Sequence, residues 1–294
     1  MLKGRLGLET ARIPHADRHG LIWLERGKLY VEDGNLTFVT AGTDSLKSGS
    51  YQIPYQSVSN ILLAPGSTVS HDAFRLLATH GTGIIVVGTN GVRLYASMPF
   101  GPDRSDLARA QTRLWSNDDK RLAVAREMYK MRLEGEVRTE DDIETLRGIE
   151  GHRMKEVYRQ LANQYGVQWE GRRYDRTNPQ GDDLINTAIN HASTAVRGAA
   201  MIAVRSTSTI PQLGFIHEAA DVAFALDIAD LYRTSVTLPV AFEAAKKCKD
   251  EGWESIERTT RRAAGKNLRT GEVIPRMIDD IKELLDVDDD GSHT

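Results

Sequence analysis

Residues 213–233, LGFIHEAADVAFALDIADLYR, contain the pattern from which the rest of the chain can be interpreted. Residues 213–216 form an apolar turn, which is followed by His217 and then by apolar residues at helical spacing. Asp227 and Asp230 lie three residues apart in that run, so a helix would place both carboxylates on one face. Because burying a bare charge is very costly, carboxylates among so many apolar neighbours require hydrogen bonds, a paired cation or a metal ion.

His217, Asp227 and Asp230 together offer ligands that suit a hard divalent cation. Aspartate oxygens suit Mg²⁺ or Mn²⁺, and one imidazole shifts the preference towards Mn²⁺. The alternative, from these residues alone, is a pair of capping or solvated aspartates beside a structural histidine. A third ligand from elsewhere in the chain would favour the metal site.

Glu150 is the best candidate for that third ligand. It lies between Gly148 and Gly151 in an otherwise helical segment. Each glycine costs a helix about 1 kcal/mol, so a packing or functional reason for them is expected. The surrounding basic residues are Arg147, Arg153, Lys155, Arg159, Arg172, Arg173 and Arg176. The glycines would let a second helix or a DNA backbone approach closely, and the alternative is a structural helix that has a solvated basic face.

The composition limits the class of protein. The chain has 294 residues, of which 40% are hydrophobic, enough for two domains of ordinary size or one large one. Cys248 is the only cysteine, which excludes internal disulfides and zinc fingers and is typical of a reducing cytoplasm. No uncharged apolar run reaches the about 18 residues that span a membrane, and residues 1–20 have no apolar core of a signal peptide. We therefore expect a cytoplasmic protein with no membrane partner.

Charge is unevenly distributed along the chain. The formal net charge is −3, but residues 279–294 carry seven acids and one lysine, so the rest of the chain sums to +3. A terminal acidic run predicts a solvated, disordered tail. The mildly basic body permits binding to phosphates without demonstrating it.

The order of predicted elements indicates an α+β protein. Residues 1–97 are predicted to form a β-rich domain, with turns at Arg26-Gly27, Asp33-Gly34 and Thr89-Asn90-Gly91 and one short helix that Ser70 caps. Two prolines and a glycine predict that residues 98–104 form a linker between the two domains. Residues 105–278 are predicted to form a larger all-α domain, which contains all the candidate ligands, and residues 279–294 the acidic tail.

Several of these segments together resemble the CRISPR-associated integrase, the spacer-acquisition nuclease of prokaryotic adaptive immunity, and its subtype I-E branch most closely. The resemblance covers nearly the whole chain. Its most specific parts are GTNGVRLYAS at 88–97, LRGIEGHR at 146–153, QYGVQWEGRRYD at 164–175, LGFIH at 213–217 and FALDIADLYR at 224–233.

This resemblance implies an N-terminal β-sandwich-like domain, which mediates homodimerisation, and a helical catalytic domain. It also implies a small companion CRISPR-associated protein of ferredoxin-like fold. The implied reaction inserts new spacer DNA into a CRISPR array, by attack of a DNA 3′-hydroxyl on a phosphodiester of the repeat. It needs Mg²⁺ or Mn²⁺ and uses double-stranded DNA with free 3′-ends.

Carried over by position, the resemblance implies four catalytic residues: Glu150, His217, Asp227 and Asp230. Glu150, His217 and Asp230 would be the metal ligands, with Asp227 a supporting carboxylate. The implied DNA-binding residues are Arg75, Arg93, Tyr174 and Arg233. One departure is the segment Glu218-Ala219-Ala220, where relatives can place a lysine, so that a basic contact is missing or supplied by another residue.

Two other functions fit part of the pattern. A non-catalytic DNA-binding scaffold would use the acids structurally and would bind DNA equally well in a chelator. A helical metal-dependent phosphohydrolase for a small molecule would need an enclosed pocket instead of a basic surface.

Overall fold

The computed structural model describes residues 20–43, 46–97, 105–133, 142–172, 184–251 and 255–286. The first two of these ranges contain the strands and one helix: β1 (Leu21–Leu24), β2 (Gly27–Glu32), β3 (Asn35–Thr40), β4 (Gly49–Gln52), β5 (Asn60–Leu63), β6 (Thr68–Val69), α1 (His71–Thr79), β7 (Gly83–Val87) and β8 (Leu94–Ser97). The other ranges contain helices: α2 (Asp106–Trp115), α3 (Asp118–Leu133), α4 (Ile143–Tyr165), α5 (Leu184–Ser206), α6 (Ala223–Leu231), α7 (Leu238–Glu251), α8 (Ile256–Thr270) and α9 (Val273–Asp286). The predicted α+β class, with N-terminal strands and C-terminal helices, is confirmed.

The strands form two four-stranded sheets. In the first, with order β1-β5-β7-β8, the first three strands are parallel and β8 is antiparallel to β7. The second has the order β4-β3-β2-β6, and only the short β6 runs parallel to its neighbour. The strand-rich part is therefore a pair of mixed sheets.

The first sheet is buried on both faces. Ile61 and Ile84 belong to a core shared with β2, β3 and α1, whereas Leu62, Ile85 and Val87 belong to the core of the helical part. Successive residues of a strand point to opposite faces, which explains why all four residues of β5 are buried. The core of the helical part therefore includes residues of this sheet. The change from strands to helices near residue 97 does not separate two independent hydrophobic cores.

Two of the three predicted turns are hairpins. Asp33-Gly34 joins the antiparallel strands β2 and β3, and Thr89–Gly91 joins β7 to β8, with Asn90 at φ 56°. The Arg26-Gly27 hairpin is wrong, because β1 and β2 belong to different sheets. Ser70 caps α1 as predicted, accepting a hydrogen bond from the Ala73 amide at 3.2 Å.

The predicted tail is wrong for residues 279–286, which are helical. Helix α9 continues to Asp286, and Ile281, Leu284 and Leu285 are buried in the helical core. These residues recur at helical spacing, so their burial outweighs the repulsion among the exposed acids on the opposite face. Residues 287–294 and the linker 98–104 lie outside the described residues.

Helix α5 is the centre of the helical part, where it contacts α6, α7, α8 and α9. It is rich in small buried residues, among them Ala192, Ala195, Ala199 and Ala203. Small side chains allow close approach of neighbouring helices. This packing fixes α6, which carries both aspartates of the motif, against the middle of the domain. Among the described helices, none is both long enough and apolar enough to cross a membrane.

Candidate active site

Asp227 holds the turn that precedes it. Its side chain is fully buried, and its oxygens accept hydrogen bonds from the amides of Phe215 (2.6 Å), Ile216 (3.1 Å) and His217 (3.0 Å). These hydrogen bonds supply the partners that a buried carboxylate requires. The resemblance implied that this acid is a supporting carboxylate beside the metal ligands. In the structure its oxygens are taken up by the turn.

The same carboxylate orients His217. Nδ1 of the imidazole lies 2.7 Å from Asp227 Oδ1, while Nε2 lies 3.9 Å from Asp230 Oδ2. Because a carboxylate accepts, Nδ1 carries the hydrogen and the neutral ring presents a lone pair at Nε2. The hydrogen bond from His217 to Asp227 raises the pKa of the imidazole, and partial burial opposes this.

Residues of α2 brace the turn from the other side. The buried Gln111 donates to the carbonyls of Ile210 and Leu213, both at 3.0 Å, and Trp115 Nε1 donates to the Gly214 carbonyl at 3.0 Å. A Cβ atom at Gly214 would overlap the carbonyl oxygen of His217, so only glycine fits there. Gln111 and Trp115 were not identified from the sequence, because nothing in the sequence of α2 indicates that these side chains contact a turn about 100 residues away.

Glu150 and Asp230 meet through a residue that the sequence reasoning did not identify. Nη2 of Arg132, on α3, contacts Glu150 Oε1 and lies 3.7 Å from Asp230 Oδ2. The Arg132 side chain is only 6% exposed, and its guanidinium faces the ring of Tyr129 at 5.2 Å. Burial lowers the pKa of Arg132, and the charge of Asp230 opposes that effect.

The predicted ligand set is therefore clustered but not arranged as a ready-made metal site. Over the described ranges, no group of three or more His, Cys, Asp or Glu side chains has the geometry to hold a metal ion. Two carboxylates and a free imidazole nitrogen are nevertheless the donors that Mg²⁺ or Mn²⁺ takes. The donor chemistry fits such an ion, and the assignment of Glu150, His217 and Asp230 as ligands stays a prediction.

Arg233, which was predicted to bind DNA, lies beside Asp230. Its Nη1 is 3.7 Å from Asp230 Oδ1, and its Nη2 donates to the hydroxyl of Tyr158 at 3.1 Å. Its Nε is buried without a hydrogen-bond partner. The residue begins a π-helical turn, Arg233–Thr237, a feature that often occurs at functional sites.

Two grooves meet at the site. The larger, of about 1070 Å³, includes Glu150, Arg147 and Lys155 in its lining, and the smaller, of about 310 Å³, includes Asp230 and Arg197. Arg172 and Arg233 line both grooves. The acids thus lie where two open, basic channels join, unlike the enclosed pocket expected of a small-molecule phosphohydrolase.

The other predicted DNA-binding residues lie elsewhere. Arg75 is exposed on α1, where it pairs with Asp72 at 3.3 Å. Arg93 is exposed just before β8 and lines a third groove, whose other basic residues are Arg258, Arg261 and Arg262 of α8. Those three arginines were not assigned from sequence, because only the fold brings α8 to β8. Tyr174 lies outside the described residues.

Glu218, the acid that departs from the family pattern, has a specific partner. It pairs with Arg121 of α3, which also lies 5.8 Å from the ring of Trp115. The acid therefore attaches the segment after His217 to α3, and it adds no phosphate-binding charge.

Comparison with known proteins gives the same family as the motifs. The sequence profile of the family described as "CRISPR associated protein Cas1" matches residues 21–139 and 132–257. The chain is 37% identical over 273 residues to the "CRISPR-associated endonuclease Cas1" of Escherichia coli K12, an alignment that covers 93% of this chain and 87% of the relative.

Comparison with solved structures also identifies proteins of similar fold. The crystal structure of a TtCas1–DNA complex matches with a TM-score of 0.81 and 30% identity, covering 92% of this chain and 97% of that one. A casposase bound to its integration product shares the fold, with a TM-score of 0.66 at 15% identity over 92% of this chain and 96% of that one. The profile match over most of the sequence and this relationship to the Escherichia coli enzyme show that the chain belongs to the Cas1 family of CRISPR-associated proteins.

Proposed function

We propose that this chain is a divalent-metal-dependent DNA integrase and endonuclease, which joins the 3′-hydroxyl ends of spacer DNA to phosphodiesters of CRISPR repeat DNA. The observation that carries the proposal is that Glu150 from α4 and Asp230 from α6 share Arg132 as a partner, that Nε2 of His217 lies 3.9 Å from Asp230, and that the two acids line two adjoining basic grooves. Charge of both signs in one open site is suited to phosphodiester chemistry.

The chain would contribute orientation and charge, not a covalent nucleophile. In the transesterification, the 3′-hydroxyl oxygen forms a bond to phosphorus, and the bond from phosphorus to the leaving 3′-oxygen breaks. Glu150, His217 and Asp230 would hold the Mg²⁺ or Mn²⁺ ion, which when bound lowers the pKa of a hydroxyl and stabilises charge on phosphoryl oxygens. The same site would hydrolyse DNA if water took the place of the hydroxyl.

The arginines would position the DNA backbone. Arg172 and Arg233 border both grooves, and the Nε of Arg233 has no hydrogen-bond partner. Guanidinium groups bind phosphates well, and backbone contacts of this kind make affinity depend on salt. Support for DNA as partner comes from the TtCas1 relative, whose structure contains DNA, and from the name of the casposase structure.

The remaining parts of the proposal concern assembly. We infer a cytoplasmic homodimer that works with a small ferredoxin-fold companion protein and belongs to the subtype I-E branch. The motifs at 146–153 and 224–233 support this placement, together with the similarity to the Escherichia coli relative.

An integration assay tests the function. Purified protein is mixed with duplex DNA that has free 3′-ends and a plasmid that carries a CRISPR repeat, with and without Mn²⁺ and the companion protein. Joined product should require the metal ion and should disappear in His217→Ala while DNA binding persists. The matched control is His152→Ala, since that imidazole is 80% exposed on α4, close to Glu150 in sequence.

The rival is a DNA-binding scaffold with structural acids. If joined product forms equally well in excess chelator, or if His217→Ala joins DNA as fast as His152→Ala, the metal-dependent mechanism is wrong. A scaffold would show unchanged DNA binding in chelator and no joined product under any condition.

A further inference from the structure

Arg132 lies between two of the proposed metal ligands. A single nitrogen, Nη2, contacts Glu150 Oε1 and lies 3.7 Å from Asp230 Oδ2. The carboxylates come from different helices, α4 and α6, and the arginine comes from a third helix, α3. One fixed positive charge therefore joins the two acids.

This charge cannot easily leave for solvent. The Arg132 side chain is 6% exposed, against 17% for Glu150 and 26% for Asp230, and Tyr129 covers one face of the guanidinium. The other charges that act on it include Asp227 and Arg233. Buried charges are stable only when paired, so Arg132 and the two acids depend on one another.

We propose that Arg132 is a built-in counter-cation, which competes with the divalent ion for Glu150 and Asp230. The inference rests on the proposed function, because it assumes that these acids bind an ion. An ion shared by two carboxylates lies about 2.0–2.6 Å from their oxygens. It would compete for that space with Nη2, which contacts Glu150 Oε1 and lies 3.7 Å from Asp230 Oδ2. Like charges a few ångströms apart also repel. Ion binding therefore requires that Arg132 release at least one of the acids.

The arrangement has two opposite consequences. Arg132 keeps two mutually repelling carboxylates together before the ion binds, which preorganises the ligands. It also weakens ion binding, because the ion must replace a bond that already exists. A purely structural arginine would have only the first effect, and its loss would reduce ion affinity.

Mn²⁺ affinity distinguishes these roles. Binding of Mn²⁺ to the full chain is measured without DNA, by electron paramagnetic resonance of the free ion. Arg132→Gln should bind Mn²⁺ about tenfold more tightly than the unmodified protein. Arg132→Lys retains the charge and should stay close to the unmodified protein. Arg113→Gln, which removes an exposed guanidinium from α2, is the matched control and should change nothing.

The outcomes separate this inference from the proposed function. Asp230→Asn should remove the Mn²⁺ site. If the unmodified protein has no Asp230-dependent Mn²⁺ site, the metal-dependent function fails. If that site exists but Arg132→Gln binds Mn²⁺ equally or more weakly, only the counter-cation role is overturned.

A second measurement does not depend on the variant folding. In unmodified protein with ¹⁵N-labelled arginine, the Nε–H signal of Arg132 should shift over the Mg²⁺ concentrations that saturate the site. A signal that stays fixed during that titration would overturn the proposal.

Discussion

The two aspartates of α6 are three residues apart and have opposite surroundings. Asp227 is fully buried, and every hydrogen bond that it makes in the turn lies between 2.6 and 3.1 Å. Asp230 is 26% exposed, and its charged neighbours Arg132, His217 and Arg233 lie at 3.7–3.9 Å. One carboxylate is saturated by the protein, and the other retains capacity to bind something else.

The difference shows how one helix can divide two tasks. On the buried side of α6, Asp227 fixes the backbone and the imidazole of His217, so that the geometry of His217 does not depend on the substrate. The open side holds Asp230 by ion pairs with longer distances, which a ligand can exchange. A substitution on the buried side should therefore mainly change stability, and a substitution on the open side should mainly change activity.

Asp230→Asn should have the largest effect on activity. Loss of a proposed metal ligand on the open side should reduce strand transfer by about 1000-fold, a barrier increase of about 4 kcal/mol. The free energy of unfolding should change by about 1 kcal/mol or less, because the contacts of Asp230 are long and partly exposed. Both are measured on one preparation, by integration assay and urea denaturation. Normal integration by the folded variant would remove Asp230 from the ligand set.

Asp227→Ala should have the largest effect on stability. The change leaves three amide N–H groups, of Phe215, Ile216 and His217, without their acceptor. An unsatisfied buried group costs about 1–3 kcal/mol, so a loss of about 3 kcal/mol in the free energy of unfolding is expected.

Chemical denaturation measures that loss, with Asp221→Ala as control, an exposed aspartate of the same segment. Equal stability of the two variants would mean that the turn holds its shape without Asp227. The contrast between the two sides of the site would then be lost.

Much of the fold could be predicted from the sequence, because it depends on local patterns. The segment around Glu150 was expected to be helical, and α4 runs from Ile143 to Tyr165, where Gly166 ends it at φ 65°. The prediction of a solvated tail was wrong for residues 279–286, because burial of the helically spaced Ile281, Leu284 and Leu285 outweighs the acidic charge there. Sheet order could not be predicted, because pairing of β1 with β5 is a long-range contact.

The acids and the imidazole of the candidate site could be proposed from the sequence, but the residues that hold them in place could not. The turn before His217 and the aspartate spacing are local, and the structure places them together. Arg132, Gln111 and Trp115 belong to α2 and α3, whose amphipathic patterns do not reveal distant polar partners. Their roles arise only when α3 packs beside α4 and α6, and when α2 contacts the turn before His217.

The His217–Asp227 pair should give stability a moderate pH dependence. The pKa of His217 in the folded protein is raised by its hydrogen bond to Asp227. A raised pKa contributes stability that is fully present below the unfolded value of about 6.5 and is lost as pH rises through the folded pKa. The imidazole is 38% exposed, so the contribution should stay below about 1 kcal/mol.

The measurement compares unmodified protein with His217→Gln from about pH 5 to 9, in chelator. The stability advantage of the unmodified protein should be greatest at the acidic end and should shrink as the pH rises. An advantage that grows with pH would have the wrong sign for this pair.

The smallest effect is expected for Glu218→Gln, at the outer edge of the open side. Glu218 is 62% exposed and its partner Arg121 is 17% exposed, so the ion pair should contribute about 0.5 kcal/mol to stability. Because the change also removes a negative charge next in sequence to the proposed ligand His217, affinity for DNA should rise about twofold at low salt and less at high salt. Asp250→Asn, an exposed acid on α7, controls for net charge, and fluorescence anisotropy with labelled duplex measures both variants. An equal rise in affinity for both would assign the effect to total charge, and a large loss of stability in Glu218→Gln would place the segment after His217 on the rigid side of the site.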